Sequence, residues 1–280
     1  MKKILKGFTL VELIVVMAIL VILMAAIMNM FKPIRETYVD ATLYENQRTT
    51  QNGIIQYITE SVRYATDIGL YTSGSGGASS VTDAVEKFTD KYLAANGVKT
   101  TDADYSTKRS NTLSLIKKNA EVIIIDNSTG IYSYNGQNYK GRLVRRKAVL
   151  NGSGEKTELT NSAENIATNE ARLALGAAYY GNSNYTITLD MKPDPTGTKF
   201  VSDDGIKVTV ASSATSGVRS NSVIKTSGTV ICKNVMPISG NNGVIKAGVF
   251  DTDNYVAANA TGADNTKIYI VFLNDKVKIS

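Results

Sequence analysis

The chain has 280 residues, 43% hydrophobic and 20% charged, a balance that excludes a disordered polymer and leaves room for one or two domains. It holds no histidine and one cysteine, Cys232. An internal disulfide, a histidine-based zinc site and a Ser–His or Cys–His nucleophile are therefore excluded. The formal charge of +6 includes Lys2, Lys3 and Lys6, so the rest is only mildly basic and gives no strong case for nucleic acid or anionic lipid.

MKKILKG opens the chain, and an apolar segment runs from Phe8 to Met28. A helix of that length spans roughly 30 Å, the thickness of a bilayer core. Lysines before it hold the leader in the cytoplasm and place everything after Met28 outside. Glu12 stands inside the run, where a carboxylate costs on the order of a few kcal/mol. A secretory signal cleaved near Ala25 or Ala26 leaves Glu12 unexplained, and so does a plain uncleaved anchor. A third reading gives it a cation: the free α-amine of a neighbouring copy, created by cleavage after Gly7.

Lys6-Gly7-Phe8-Thr9-Leu10-Val11-Glu12 resembles the processing motif of type IV prepilins and pseudopilins. The resemblance implies that a membrane prepilin peptidase cuts after Gly7 and that Phe8 becomes the N-methylated terminus. It also implies that Glu12 pairs with a neighbour's Phe8 amine during fibre assembly. Other pilin subunits, an assembly platform and its ATPase are the partners it implies, with the cytoplasmic membrane as the site before assembly and a surface pilus afterwards. Where family members often carry a helix-kinking proline, this chain has Asn29, and the nearest proline is Pro33. The mature chain of 273 residues (280 less the seven of the leader) is large for a main subunit and suits a minor pilin.

After Pro33, Ile54, Ile55, Ile58, Val62 and Ala65 fall on one face at helical spacing, opposite Gln51, Glu60 and Arg63. Residues 8–71 are thus read as one N-terminal helix: a membrane half over 8–28 and an amphipathic half over 34–68, continuous through Gly53. Residues 72–80, TSGSGGASS, have the composition of a linker. Ser80, Asp83 and Gly97 then bracket a short helix whose Val81, Val85, Phe88 and Tyr92 share a face. Polar residues 98–120 read as loop, with one turn around Leu113 to Ile116.

From there the pattern alternates in strands: 121–126, 131–134, 141–150, 184–191, 205–211, 222–234, 243–250 and 267–274. A further short helix is expected around 171–178. The short intervals favour antiparallel pairing. The fold class is α+β: a long N-terminal helix packed on an antiparallel sheet, which is also the pilin-like fold. The division is leader 1–7, helix 8–71, linker 72–80 and β-rich head 81–280.

Arg142, Arg145, Arg146 and Lys147 form a basic stretch with two uses: a DNA or polyanion contact, or a strand with a solvated outer face. Asp102 with Asp104, Asp203 with Asp204, and Asp251 with Asp253 fit turn chemistry better than calcium, which needs six or more oxygens. The tyrosine clusters, Tyr179-Tyr180 and Tyr132, Tyr134, Tyr139, fit strand preference better than a carbohydrate site. Cys232 reads as a small buried hydrophobe. No catalytic residue, metal ligand or cofactor is nominated. A membrane-anchored adhesin or DNA-binding module, meeting DNA or a host surface, is the alternative to a fibre subunit.

Overall fold

The computed structural model describes residues 9–74, 77–128, 132–134, 137–139, 141–159, 171–175, 177–180, 183–191, 206–214, 223–230, 250–251 and 266–279. A single helix, α1 (Leu10–Val62), spans 53 residues, about 80 Å. Its first buried residue is Gln47, so more than half of its length stands clear of the body. It runs through Pro33, with the Thr37 hydroxyl donating to the Pro33 carbonyl at 2.8 Å.

The helix ends at Val62, short of the 68 to 71 expected. Residues Asp67–Thr72 instead form strand β1. The reason is tertiary: the Thr66 N–H donates to the Leu273 carbonyl at 2.7 Å, and the chain is taken up as a strand. Ile68 and Leu70 then point to one face of a sheet and Tyr71 to the other. Ala78, inside the expected linker, is buried.

Helix α2 (Val81–Ala95) follows, with the Ser80 side chain accepting from the Asp83 N–H. Residues 98–120 are not loop throughout, because α3 (Tyr105–Asn119) occupies most of them. Only Thr112 and Ile116 of α3 are buried, too few for a helical stripe to stand out. Basic Lys117 and Lys118 sit in its last turn, complementing the dipole.

The remaining elements are β2 (Glu121–Asp126), β3 (Tyr132–Tyr134), β4 (Gln137–Tyr139), β5 (Arg142–Lys147), β6 (Ala171–Leu173), α4 (Ala177–Tyr180), β7 (Ser183–Met191), β8 (Ile206–Ala214), β9 (Val223–Val230), β10 (Phe250–Asp251) and β11 (Lys267–Leu273). The helix expected around 171–178 is replaced by β6, paired to β5, and the single turn α4. Six strands form one sheet in the order β10-β1-β11-β2-β5-β6. Its ladders are antiparallel except for β10, which runs parallel to β1. β7-β8-β9 form a second, antiparallel sheet, and β3-β4 a hairpin.

The six-stranded sheet is covered on both faces, which is why EVIIID and KIYIVFL read as nearly continuous apolar runs. Ile123, Ile125, Ile268, Ile270 and Phe272 face α1 and the three-stranded sheet. Val122, Ile124, Tyr269, Val271 and Leu273 face α2 and α3. The three-stranded sheet buries one face only, so Tyr185, Ile187 and Leu189 alternate with half-buried polar residues. The Asn127 amide ties the sheets: its Nδ2 donates to the Ile187 carbonyl at 2.8 Å and its Oδ1 accepts from the Ile187 N–H at 2.9 Å.

The lower half of α1 is seated by shape and by amides. Gly228 on β9 leaves room for Ile55, whose Cγ2 lies only 2.7 Å from where a Cβ would stand. Gln51 is fully buried: its Nε2 donates to Ser212 Oγ at 2.8 Å and the Ile224 carbonyl at 2.9 Å, while its Oε1 accepts from the Thr226 hydroxyl. Gln47 Nε2 donates to Ser183 Oγ at 3.0 Å.

Candidate functional site

The exposed end of α1 begins with a reciprocal cap. Thr9 is the N-cap, and its N–H and hydroxyl each donate to Glu12 Oε2 at 2.9 Å. The Glu12 N–H donates back to Thr9 Oγ1 at 3.3 Å. Two of the donors that a helix start leaves orphaned are thereby satisfied, and a negative charge sits at the positive end of the dipole. Glu12 thus has an intrachain partner as well as the neighbour's amine expected of it. The T-x-x-E spacing of Thr9-Leu10-Val11-Glu12 is the capping-box signature, legible in the sequence alone. Gly7 and Phe8 lie outside the described residues.

Beyond Glu12 the helix is apolar on every side as far as Met28, and Asn29 is the one polar residue before Lys32. Leu13, Ile14, Met17, Leu20, Leu23 and Ile27 are all exposed. This is the one described helix long and apolar enough to cross a membrane, and none of its most apolar stretch is buried. A core helix of equal hydropathy would be covered by its own fold. Here cover must come from lipid or from other chains.

The middle of α1 changes character. Lys32, Arg35, Glu36, Asp40, Glu45 and Arg48 succeed one another, with Tyr38 and Tyr44 exposed among them. A groove follows this stretch, lined by Thr37, Asp40, Ala41, Tyr44, Glu45 and Arg48.

The basic strand does not present a patch. Arg142 and Arg146 are 3% and 1% exposed, on the face of β5 that carries Val144 toward α2 and α3. Arg142 pairs with Asp126 across the ladder at 3.4 Å. Arg145, on the other face, pairs with Glu121 and donates to Tyr57 Oη of α1 at 3.5 Å. Lys147 alone of the four is exposed. The solvated-face expectation fails for the same reason: the α2–α3 layer covers that face.

Asp102 accepts the Lys99 N–H at 2.9 Å, and Asp104 pairs with Lys108 at 2.8 Å. Both are engaged in local turn and helix-start contacts. Asp203, Asp204 and Asp253 lie outside the described residues, as does Cys232; Asp251 is placed on β10 by its backbone. Tyr180 is buried, its hydroxyl accepting the Leu143 N–H at 3.1 Å. Tyr179 clamps α1: its carbonyl accepts the Thr50 hydroxyl at 2.9 Å and its own hydroxyl donates to the Thr49 carbonyl at 3.3 Å. Tyr132 is paired with Tyr139 across the hairpin, with Tyr134 at its end.

No curated protein and no solved structure matches the chain. A family model described as the prokaryotic N-terminal methylation motif matches residues 5–28, the stretch that holds Gly7, Phe8, the Thr9–Glu12 cap and the uncovered apolar helix. Residues 5–28 carry the signature of type IV prepilins and pseudopilins, and the motif supports a pilin or pseudopilin subunit.

Proposed function

We propose that this chain is a minor structural subunit of a type IV pilus or related pseudopilus. The observation that carries the proposal is an uncovered apolar helix, some twenty residues long, that begins at a methylation motif and holds one carboxylate near its start. Prepilin peptidase removes residues 1–7 by cutting after Gly7, and Phe8 is N-methylated. The body divides into the α1 shaft and a β-rich head. Before assembly, α1 holds the chain in the cytoplasmic membrane, where the cap from Thr9 keeps the Glu12 carboxylate hydrogen-bonded. During assembly, the cationic Phe8 amine of a neighbour meets Glu12. In low dielectric that charge pair outweighs the neutral donors it joins or replaces. Dispersion contacts among Leu10, Val11, Leu13, Ile14 and Met17 of adjacent helices supply most of the cohesion. An assembly platform and its ATPase supply the work of extraction.

An anchored adhesin or DNA-binding module loses its best support, since burial leaves little of the basic stretch for a polyanion. The size of the head favours the minor class. The test is the N-terminal mass of the chain in fibres sheared from its native cells. A start at N-methylated Phe8 is expected. An intact Met1, or a start near Ala25 or Ala26 in a soluble fraction, overturns the proposal.

A further inference from the structure

We infer that the hydrocarbon span of α1 is Leu13–Phe31, with Glu12 at the cytoplasmic boundary and with Lys32 and Arg35 on lipid phosphates of the outer leaflet. The inference rests on the reading of α1 as a membrane helix before assembly and specifies its depth. This span is centred on Ile22, four residues further along the chain than the expected 8–28, whose centre is Ala18.

α1 is a single helix from Leu10 to Val62, continuous through Pro33, so position along it converts to depth at about 1.5 Å per residue. Glu12 and Lys32 are twenty residues apart, about 30 Å, which matches the thickness of the hydrocarbon layer. Between them the one polar side chain is Asn29. A span over 8–28 instead puts Glu12 about 6 Å deep in hydrocarbon and leaves Met30 and Phe31 among headgroups.

At the inner end the carboxylate is already turned outward. Side chains of a helix tilt toward its N-terminus, and the Thr9 N–H and hydroxyl hold Glu12 Oε2 at 2.9 Å. The carboxylate therefore lies beside Thr9, nearer the cytoplasm than the Cα that bears it. With that Cα at the boundary, the charge is among headgroups and water, and the cost of a carboxylate deep in a span is avoided. An amine from another copy can reach it there without crossing hydrocarbon.

At the outer end two cations converge on one plane. Lys32 and Arg35 are three residues apart, a spacing that makes them neighbours on the helix surface. Both are exposed, and neither makes an ion pair with a described residue. The headgroup layer is about 5–7 Å thick on each side of the bilayer. Lys32, at the hydrocarbon edge, extends up into it with its stem along the apolar surface. Arg35, about 4.5 Å further out, tilts back into it. A phosphate between them meets one point charge and one planar fork, both suited to an oxyanion. The acidic residues begin at Glu36, beyond both cations.

The chain has no tryptophan, so a single introduced indole reports its own depth. The full chain is purified from its native cells, its N-terminal mass is read, and it is reconstituted into phosphatidylglycerol–phosphatidylcholine vesicles in phosphate-free buffer. Ala18→Trp, Ile22→Trp and Ala26→Trp are compared by quenching from lipids brominated near the ends of their acyl chains. Quenching is expected to be strongest at Ile22 and about equal at the two flanking positions, each about 6 Å from the centre. A maximum at Ala18 or at Ala26 overturns the placement. Quenching at none of the three removes the membrane helix and the inference together. A sample that retains Met1 counts against the processed subunit, while the position of the maximum still decides the depth. The phosphate contact is read by solid-state NMR on chain with carbon-13-labelled arginine in the same vesicles. Dephasing of a guanidinium carbon by phosphorus is expected in the parent and should be lost in Arg35→Gln. Since lipid is the sole source of phosphate, no free ion can give that signal. A parent without dephasing, or an Arg35→Gln chain that keeps all of it, overturns the contact.

Discussion

The two halves of α1 are one continuous helix in two environments. From Leu10 to Phe31 the residues are more apolar than any other stretch of the chain, and none is covered. From Gln47 to Val62 the composition is mixed, with glutamines and threonines among the isoleucines, yet Ile54, Ile58 and Val62 have no exposure at all. Hydropathy therefore does not locate the core of this molecule. Burial follows periodicity: the lower half carries a stripe that matches the space between two sheets, and its polar members find partners on β7, β8 and β9. The upper half has no stripe because it has no single face to cover. A helix apolar all round is built for lipid or for a ring of neighbours.

The largest expected effect tests that division directly. Ile58→Ala should lower the unfolding free energy of the detergent-solubilised chain by about 3 kcal/mol, through lost transfer energy and the cavity left between the sheets. Ile22→Ala removes the same atoms from a residue that is 70% exposed and should change head stability by less than about 0.5 kcal/mol. Urea unfolding followed by near-UV signals of the head reads both. Equal losses at the two positions would mean that the upper half docks on the head in solution.

Gln51→Leu probes the polar part of the seat. The substitution keeps volume but strands the Ser212 hydroxyl, the Ile224 carbonyl and the Thr226 hydroxyl. An unmet buried polar group costs about 1–3 kcal/mol. Some of the three can turn to other partners, so a net loss of about 2 kcal/mol is expected in the same unfolding assay. A neutral result would show that α1 is held by its isoleucines alone.

A smaller effect is expected at alkaline pH, confined to the head. Burial pushes the Tyr185 phenol above its ordinary value of 10.0. Burial, with the Asp67 charge beside it, does the same to Tyr92. The folded state thus holds these protons more tightly than the unfolded chain. Their contribution is complete below pH 10 and declines as pH rises from there through the folded values. Urea midpoints should be level between pH 8 and pH 9.5 and fall above about 10.5. Tyr185→Phe should flatten part of that fall.

How much of this was legible depends on what shaped each element. β2 and β11 stand out as EVIIID and KIYIVFL because both of their faces are buried. The start of α2 follows from Ser80 and its stop from Gly97. β1 was hidden because Ile68 and Leu70 also continue a helical stripe, and only the β11 ladder decides between periods of 3.6 and 2. α3 was hidden because it buries Thr112 and Ile116 alone and is otherwise polar. Arg142 and Arg146 resemble a solvated face in sequence, since the layer that covers them comes from residues some thirty to sixty positions earlier in the chain. At the candidate site the apolar run, Glu12 and the T-x-x-E spacing are plain in the sequence, but spacing alone does not show that the Thr9 N–H and hydroxyl hold the same carboxylate that a neighbour's amine is expected to meet.

The smallest expected effect sits at Gly53, in the buried half of α1. Glycine in a helix interior costs about 1 kcal/mol against alanine, so Gly53→Ala would stabilise an isolated helix. Here the new Cβ would stand 2.0 Å from the Tyr179 hydroxyl. The ring, 38% exposed, can swing outward, but its hydrogen bond to the Thr49 carbonyl is then lost. That loss is about 1 kcal/mol and offsets the gain in propensity, so the net change should be within about 0.5 kcal/mol of zero. In a Tyr179→Phe background the hydroxyl and its bond are already absent, and Gly53→Ala should then stabilise by most of the helix term. A full gain in the parent chain would show that Tyr179 does not hold the helix, and that the lower half of α1, like the upper, keeps its place without a clamp from the head.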